Sequence, residues 1–179
     1  MKIRTTPLDG VKLIDSLQRQ DDRGLFVKTF SKDDFERAGL ASTFSESYYS
    51  QSRTNVIRGM HFQSPPAECA KLVSVARGTI LDVVLDIRAR SRTYGAVFMV
   101  SLSADKRQSL YIPPGFAHGF AALKDDTIVS YLQSSVHAPE LDHGIHPLSC
   151  GIDWGIPHPV LSPRDAALPP LSDFRTPFI

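Results

Sequence analysis

Short apolar segments separated by turn-forming residues recur along most of this 179-residue chain, and no other feature constrains its fold as strongly. The segments are rich in Val, Ile, Leu and Phe, and Gly, Pro, Asp or Ser separates each from the next. Many short strands with turns between them are typical of a β-sandwich or a β-barrel. The pattern predicts strands over residues 11–14, 25–30, 71–75, 79–87, 96–102, 109–112 and 128–132.

Helix signals are confined to one short segment. A helix is predicted over Lys32–Ala38, because Ser31 can cap its start and Gly39 can end it. A proline-rich stretch from His158 onward is expected to form an extended tail laid over the barrel. Since the chain has no internal repeat and no low-complexity linker, residues 1–179 are expected to form a single domain.

The composition and charge exclude several classes of partner. A net charge of +1 provides no long-range attraction to nucleic acid or to an anionic membrane. No apolar run approaches the roughly 20 residues that a membrane helix needs. Cys69 and Cys150 are the only cysteines, and the polar, basic first residues do not resemble a signal peptide. Two reduced thiols in a cytoplasmic protein are therefore expected.

A polar stripe interrupts the apolar pattern between residues 58 and 63. Arg58, His61 and Gln63 are expected on one face of a strand, and the apolar Met60 and Phe62 on the other. An ordinary half-buried strand would turn such polar residues toward solvent. Inside a barrel large enough to hold a ligand, the same residues would instead line the cavity. Both interpretations are open for this segment taken alone.

Two further polar residues lie among apolar neighbours. Asp82 lies inside the apolar run of residues 79–87, where an unpaired carboxylate is costly to bury, so Lys71 or His61 is its expected partner. The alternative is a hydrated Asp82 close to the end of a strand. His118 follows a turn formed by two prolines and a glycine, and it is either a functional residue or a hydrogen-bonded core histidine.

The histidines do not have the spacing of a metal site. Metal-binding double-stranded β-helix proteins commonly present two histidines one residue apart, an acidic ligand and a distant third histidine. Here Gln63 takes the place of the second histidine, and His61 with His118 alone would form a poor set of ligands. No metal ion and no other cofactor is therefore expected, and the chain has no glycine-rich phosphate loop.

Taken together, these segments resemble the family of dTDP-4-dehydrorhamnose 3,5-epimerases over nearly the whole chain. The motifs that carry the resemblance, in the family's order and spacing, are residues 22–26 (DRGLF), 58–63 (RGMHFQ), Lys71, 78–88, 114–120 (PGFAHGF), Tyr131, 151–154 (GIDW) and 161–165 (LSPRD). The resemblance implies a mainly β, cupin-type jelly roll with a metal-free site between its sheets. It also implies a homodimer in which an N-terminal strand crosses to the partner.

The same resemblance implies roles for individual residues. His61 matches the catalytic base, and Asp165 matches its hydrogen-bonded carboxylate partner. Lys71 matches the lysine beside the keto oxygen, and Tyr131 matches the tyrosine that donates a proton on the opposite face of the sugar. The implied substrate-binding residues are Arg23 (from the neighbouring subunit), Phe26, Lys28, Glu46, Tyr48, Arg58, Gln63, Asp82, His118, His137 and Arg164.

The reaction that this resemblance implies is inversion of C3, C5 or both in a nucleotide-diphospho-4-keto-6-deoxy sugar. A histidine suits the removal of a proton beside the ketone, because its ordinary pKa of about 6.5 lets it change form near neutral pH. The enolate that forms needs a positive donor, and Lys71 can supply one. The sugar nucleotide is thus the expected partner, and nucleic acid and membrane are not.

Four of the implied substrate-binding positions depart from the family's usual residues. Lys28 replaces a glutamate, Glu46 and Tyr48 replace a glutamine and an asparagine, and His137 replaces an aromatic residue. The proton-transfer residues are unchanged, so an alternative is a single-carbon epimerase acting on a CDP-, GDP- or UDP-linked sugar. A non-catalytic cupin that binds sugar nucleotides and a metal-dependent cupin are the alternatives from other classes.

Overall fold

The computed structural model describes all 179 residues, and strands make up most of its regular structure. Each strand predicted above overlaps an observed one. The strands are β1 Lys2–Thr5, β2 Lys12–Asp15, β3 Leu17–Asp21, β4 Gly24–Lys28, β5 Glu46–Ser52, β6 Ile57–Gln63, β7 Lys71–Arg77, β8 Thr79–Asp86, β9 Val97–Ser103, β10 Gln108–Ile112, β11 Phe116–Ala122, β12 Thr127–Gln133 and β13 Asp142–Gly144.

Helices are short and few. The predicted helix is confirmed as α1, Lys32–Arg37, but the Ser31 side chain makes no capping hydrogen bond. A second helix, α2, spans Pro163–Ala166. Single 3-10 turns span Pro139–Leu141, Pro147–Ser149 and Leu171–Asp173. None of these helices has the length and apolar character that crossing a membrane requires.

Two antiparallel sheets face each other. The six-stranded sheet has the order β1-β2-β10-β7-β12-β5, and the five-stranded sheet has the order β13-β6-β11-β8-β9. Between them lies an apolar core with contributions from both sheets, including Val73 and Val129 from the first and Val84 and Phe120 from the second, all at most 1% exposed. The mainly β, cupin-type jelly roll implied by the sequence is confirmed.

The five-stranded sheet is buried on its outer face as well. A second apolar cluster there contains Met60, Val83, Ala117 and Trp154, which are all buried. Strands β8 and β11 are therefore covered on both faces. This explains why their sequences are nearly continuous apolar runs, rather than the alternation that a half-exposed strand shows.

The C-terminal segment covers this outer face. Its backbone forms parallel bridges to the barrel at Val160 and Phe178, and Phe174 packs against the outer cluster. The extended tail predicted from the prolines is not confirmed, because α2 and a 3-10 turn interrupt the segment. Helix α2 carries Arg164 and Asp165, so the segment brings two of the predicted site residues to the barrel.

The β3–β4 hairpin is separate from both sheets. Its strands pair only with each other. Two of its apolar side chains, Leu25 and Phe26, are 46% and 56% exposed. An isolated two-stranded hairpin is at best marginally stable in water, so such a hairpin normally packs against another surface.

Candidate active site

A cavity of about 280 Å³ lies between the two sheets. Its walls come from β5, β7 and β12 of the six-stranded sheet, from β6 and β11 of the five-stranded sheet, and from α2. The predicted site residues that line it are Tyr48, Arg58, His61, Lys71, His118, Tyr131, Arg164 and Asp165. Of the two interpretations left open for the polar stripe, the one in which it lines a cavity holds for Arg58 and His61. Strand alternation does not explain their shared side, because regular alternation would place them on opposite faces.

A register shift in β6 brings Arg58 and His61 to the same side of the strand. Residues three apart point to opposite faces of a regular strand. Here His61 pairs with His118 while Arg58 pairs with Phe120, so β6 has one more residue than β11 between these pairs. Gly59 lies at this bulge with φ of +135°, and a Cβ there would be 2.5 Å from a backbone atom of β11.

His61 and Asp165 form a dyad. Nε2 of His61 lies 2.7 Å from Oδ1 of Asp165. The carboxylate is positioned by α2, where the Ser162 hydroxyl accepts a hydrogen bond from the Asp165 amide and caps the helix. Burial raises the pKa of Asp165, but the hydrogen bond and charge of His61 and the amide of Gly59 outweigh burial and hold it below its ordinary value. Asp165 is therefore an ionised acceptor.

The partner of Asp82 is His118, so the prediction of Lys71 or His61 is wrong. Nε2 of His118 lies 2.6 Å from Oδ1 of Asp82. The Asp82 side chain is completely buried in the middle of β8, which also rules out the hydrated strand end. Asp82 is directly opposite Phe120 in the sheet, and His118 is two residues along on the same face. The sequence alone does not predict this pair, because the alignment of β8 with β11 determines which residues lie next to each other.

Asp82 does not line the cavity itself. It lies behind His118, whose imidazole is 5% exposed and lines the wall. The second carboxylate oxygen of Asp82 is buried and has no hydrogen-bond partner. The contact with His118 is therefore the only hydrogen bond of this carboxylate, and it fixes the orientation of the imidazole.

Tyr131 enters the cavity from the sheet opposite His61. Its ring stacks on that of Tyr48, with centroids 4.9 Å apart and planes at 18°, and it meets the His118 ring edge-on at 6.2 Å. Burial, reinforced by the charge of Asp82, raises the pKa of Tyr131 well above its ordinary value. Burial also raises the pKa of Tyr48 to about 12. Both phenols therefore hold their protons at neutral pH.

Three cationic side chains line the cavity. Nζ of Lys71 makes no hydrogen bond or ion pair with another protein group. Arg58 donates only to uncharged oxygens of β5. Arg164 forms an ion pair with Asp142 at 2.9 Å, and this hydrogen bond raises the pKa of Arg164. Because Asp165 is the only carboxylate in the lining, the cavity carries an excess of positive charge.

Gln63, Glu46 and His137 were predicted to bind substrate, but they lie outside the cavity lining. The Gln63 side chain is buried, and its amide group bonds to backbone groups at residues 67, 136 and 138. The Glu46 carboxylate accepts a hydrogen bond from the His137 amide at 3.0 Å. These contacts give Gln63 and Glu46 structural roles, and their contact with substrate stays a prediction.

The hairpin residues Arg23, Phe26 and Lys28 also lie away from the cavity of their own chain. Arg23 forms an ion pair with Asp21 at 2.6 Å at the exposed tip of the hairpin. The resemblance assigns Arg23 to the site of a neighbouring subunit, and the position of the hairpin is compatible with that assignment.

Three residues of the lining were missed by the sequence reasoning: Ser50, Phe120 and Ser162. Ser162 had a usable signal, because a serine followed by proline is typical of a helix start and would have positioned Asp165 in a first turn. Ser50 and Phe120 occupy ordinary strand positions and have no such signal. No three His, Cys, Asp or Glu side chains are grouped so that they could hold a metal ion.

Comparisons with known proteins cover almost the full chain. A sequence model of the family described as dTDP-4-dehydrorhamnose 3,5-epimerase matches residues 5–173. The chain is similar to the dTDP-4-dehydrorhamnose 3,5-epimerase of Mycolicibacterium smegmatis, with 39% identity over 97% of this chain and 87% of that protein. It is also similar to the dTDP-4-dehydrorhamnose 3-epimerase of Streptomyces niveus, with 38% identity over 92% of this chain and 81% of that protein.

A solved structure extends the similarity to three dimensions. The dTDP-6-deoxy-D-glucose-3,5-epimerase of Legionella pneumophila, in complex with dTDP-4-keto-L-rhamnose, matches with a TM-score of 0.92 and 35% identity. The match covers 97% of this chain and 94% of that one. The sequence comparisons and the fold thus agree, and the chain belongs to the dTDP-4-dehydrorhamnose 3,5-epimerase family.

Proposed function

We propose that this protein is an isomerase that inverts C3 and C5 of a dTDP-linked 4-keto-6-deoxy sugar through an enolate. One observation carries the proposal: a histidine–carboxylate dyad and a protonated tyrosine face the same cavity from opposite sheets. Inverting a carbon beside a ketone requires removal of a proton from one face and delivery of a proton to the other. A pure binding site has no need of this arrangement.

His61 is the proposed base. Its Nε2–H donates to the ionised Asp165, which leaves the lone pair of Nδ1 to accept a proton from the sugar. When the imidazole becomes charged, the adjacent carboxylate stabilises it, as the aspartate does in a Ser-His-Asp triad. A positioned base of this kind typically accelerates proton transfer by about 10²- to 10⁴-fold.

Lys71 is the proposed electrophile. Because its ammonium group has no partner in the protein, its charge is available to the oxygen on which the enolate forms. A donor aimed at such a developing charge commonly contributes about 10²- to 10³-fold. His118 would add a second donor or acceptor through the ring nitrogen that Asp82 does not occupy.

Tyr131 is the proposed acid on the opposite face. Its high pKa keeps the phenol protonated until a stronger base, the enolate carbon, is presented to it. The stacked Tyr48 and the edge of His118 fix the plane of the ring. Arg58 and Arg164 are the proposed ligands of the diphosphate, since guanidinium groups pair well with phosphate oxygens.

We further propose a homodimer in which the β3–β4 hairpin contacts the neighbouring subunit. Support comes from the exposed Leu25 and Phe26 and from the lack of any strand pairing outside the hairpin. Such an arrangement would deliver Arg23, Phe26 and Lys28 to the partner's cavity. A single domain over residues 1–179 and a cytoplasmic location are part of the same proposal.

Deuterium exchange tests the function directly. The protein is incubated in D₂O with dTDP-4-keto-6-deoxyglucose, and proton NMR follows C3 and C5. We expect deuterium at both carbons together with inverted product, and no exchange above background with His61→Ala. Exchange at C3 alone would identify a single-carbon epimerase, and tight binding of dTDP without exchange at either carbon would favour the non-catalytic alternative.

The hypothesis of a nucleotide other than dTDP stays a prediction. Of the four departures from the family's usual residues, only Tyr48 lines the cavity of its own chain. Titration calorimetry with dTDP, CDP, GDP and UDP tests the hypothesis, which expects dTDP to bind less tightly than at least one of the others. Tightest binding of dTDP would mean that the four substitutions do not affect nucleotide choice.

A further inference from the structure

A second cavity lies on the outer side of the strands that carry His61. It has a volume of about 390 Å³ and is bounded by β6, β13, α2 and the C-terminal segment. Within β6, His61 faces the catalytic cavity, while the neighbouring Phe62 lines the second one. Strand β13 closes the wall, since Gly144 pairs with His61 and His143 pairs with Phe62. Apart from Arg164, which lines both cavities, the proposed catalytic mechanism uses none of the residues around this space.

The floor of the second cavity is aromatic and aliphatic. Phe62 is 4% exposed, and the ring of Phe174 meets it edge-on at 5.6 Å. The imidazole of His143 is tilted over Phe62 at 5.9 Å. Leu168 and Pro169 form the remaining apolar wall. A pocket with this lining favours a flat, apolar ring that can lie against aromatic edges.

The polar groups at the rim favour an anion. Arg175 is exposed and has no acidic partner, because its guanidinium donates only to the Phe174 carbonyl at 3.2 Å. The Ser64 hydroxyl lines the cavity and makes no hydrogen bond within the protein. The single carboxylate in the lining, Asp142, is already paired with Arg164. One guanidinium and one hydroxyl are therefore available to a ligand, and no free acidic group opposes an anion.

We infer that this cavity binds a small aromatic carboxylate, with its ring against Phe62 and Phe174 and its carboxylate on Arg175. A planar guanidinium matches a carboxylate with two parallel hydrogen bonds, which gives both affinity and orientation. The volume falls within the range of about 300–1,000 Å³ that is usual for small-molecule sites. The ligand class follows from this combination of an apolar floor and one unpaired cation.

The site is linked to the catalytic cavity by a shared side chain. Arg164 lines both cavities, and its partner Asp142 lines the second one. Arg164 and Asp165 are neighbours in α2, so a ligand that contacts Arg164 from outside touches the helix that holds the dyad. Binding itself does not depend on the proposed reaction, and it can be measured without substrate.

Calorimetric titration of the full chain tests the site. The probe is 2-naphthoate, with 2-naphthamide as the uncharged match, first without nucleotide and then with dTDP present. We expect one saturable site for naphthoate and at least about tenfold weaker binding of the amide, since the charge-assisted hydrogen bonds are lost. Saturation with dTDP should leave naphthoate binding in place, because the proposed contacts of naphthoate, which are Phe62, Phe174 and Arg175, do not line the catalytic cavity.

Two variants and one control localise the probe. Arg175→Gln removes the cation and is expected to weaken naphthoate binding about tenfold. His143→Trp adds bulk over Phe62, where the naphthoate ring would lie, and should abolish binding while leaving the fold intact by circular dichroism. Arg92→Gln, at an exposed arginine on a different surface, should change nothing. Absence of saturable naphthoate binding, equal binding by Arg175→Gln, or full displacement by dTDP would each overturn the proposal.

Discussion

The hydrogen bond between His61 and Asp165 can be tested with the single substitution Asp165→Asn. Asparagine has the same shape, so α2 and its Ser162 cap are retained, because the cap uses the backbone amide of residue 165. Only the charge and the acceptor character of one oxygen change. If the amide nitrogen faces Nε2, His61 must hold its proton on Nδ1 and can no longer act as a base there.

The expected loss in activity is much larger than the expected loss in stability. Asp165 is 3% exposed, and its bond to His61 is 2.7 Å long. A hydrogen bond to a charged group contributes about 1.5–3 kcal/mol to stability, and the lower cost of burying a neutral amide offsets part of this. Activity should fall about 10²- to 10⁴-fold, the range for a disabled general base.

The assay is the rate of deuterium entry at C3 and C5 in D₂O, with thermal unfolding measured on the same sample. Asp86→Asn is the matched control, because Asp86 is also a buried carboxylate but bonds to Arg88, Ser91 and Thr93, outside the cavity. It should lose stability and retain the exchange rate. Exchange by folded Asp165→Asn within about twofold of the wild-type rate would refute the role of the dyad.

Three further outcomes are expected. Tyr131→Phe should slow inversion about 10²-fold in the NMR assay while deuterium still enters from the His61 face, and unchanged inversion would assign the donated proton to water. Lys71→Met should lower kcat about 10²- to 10³-fold with little change in dTDP affinity by calorimetry, whereas equal loss of both would make Lys71 a binding residue. Burial opposes ionisation of Asp86, but its hydrogen bonds from Arg88 and two hydroxyls lower its pKa to about 2. Its stabilisation of about 2 kcal/mol should therefore be complete above about pH 4 and lost as the pH falls toward 2 in urea unfolding, a loss absent from Asp86→Asn.

Much of the fold could be predicted because apolar segments and turn residues act locally. Strands such as β8 and β12 and helix α1 follow from their own sequences, and the family motifs supply the jelly roll. The roles of His61, Lys71 and Tyr131, which line the cavity, follow instead from the resemblance to the family.

What could not be predicted depends on register and on contacts distant in sequence. Arg58 reaches the cavity only because the bulge at Gly59 reverses its side of the strand. The pairing of Asp82 with His118 is decided by how β8 and β11 align. Gln63 continues the polar stripe in sequence. Its side-chain amide, however, forms hydrogen bonds with backbone groups of two loops and does not face the cavity. Composition and spacing do not contain this information.

The attachment of α2 to the barrel has a consequence for how the protein becomes active. The two halves of the dyad are 104 residues apart in sequence, and the carboxylate arrives on a segment that packs on the outside of a complete barrel. A chain whose barrel has formed, but whose segment from Trp154 to Asp165 is cut or undocked, would keep its base and lose the activation of that base. Turnover therefore requires that this segment is docked, because undocking it removes both the carboxylate partner of His61 and Arg164, a proposed ligand of the diphosphate.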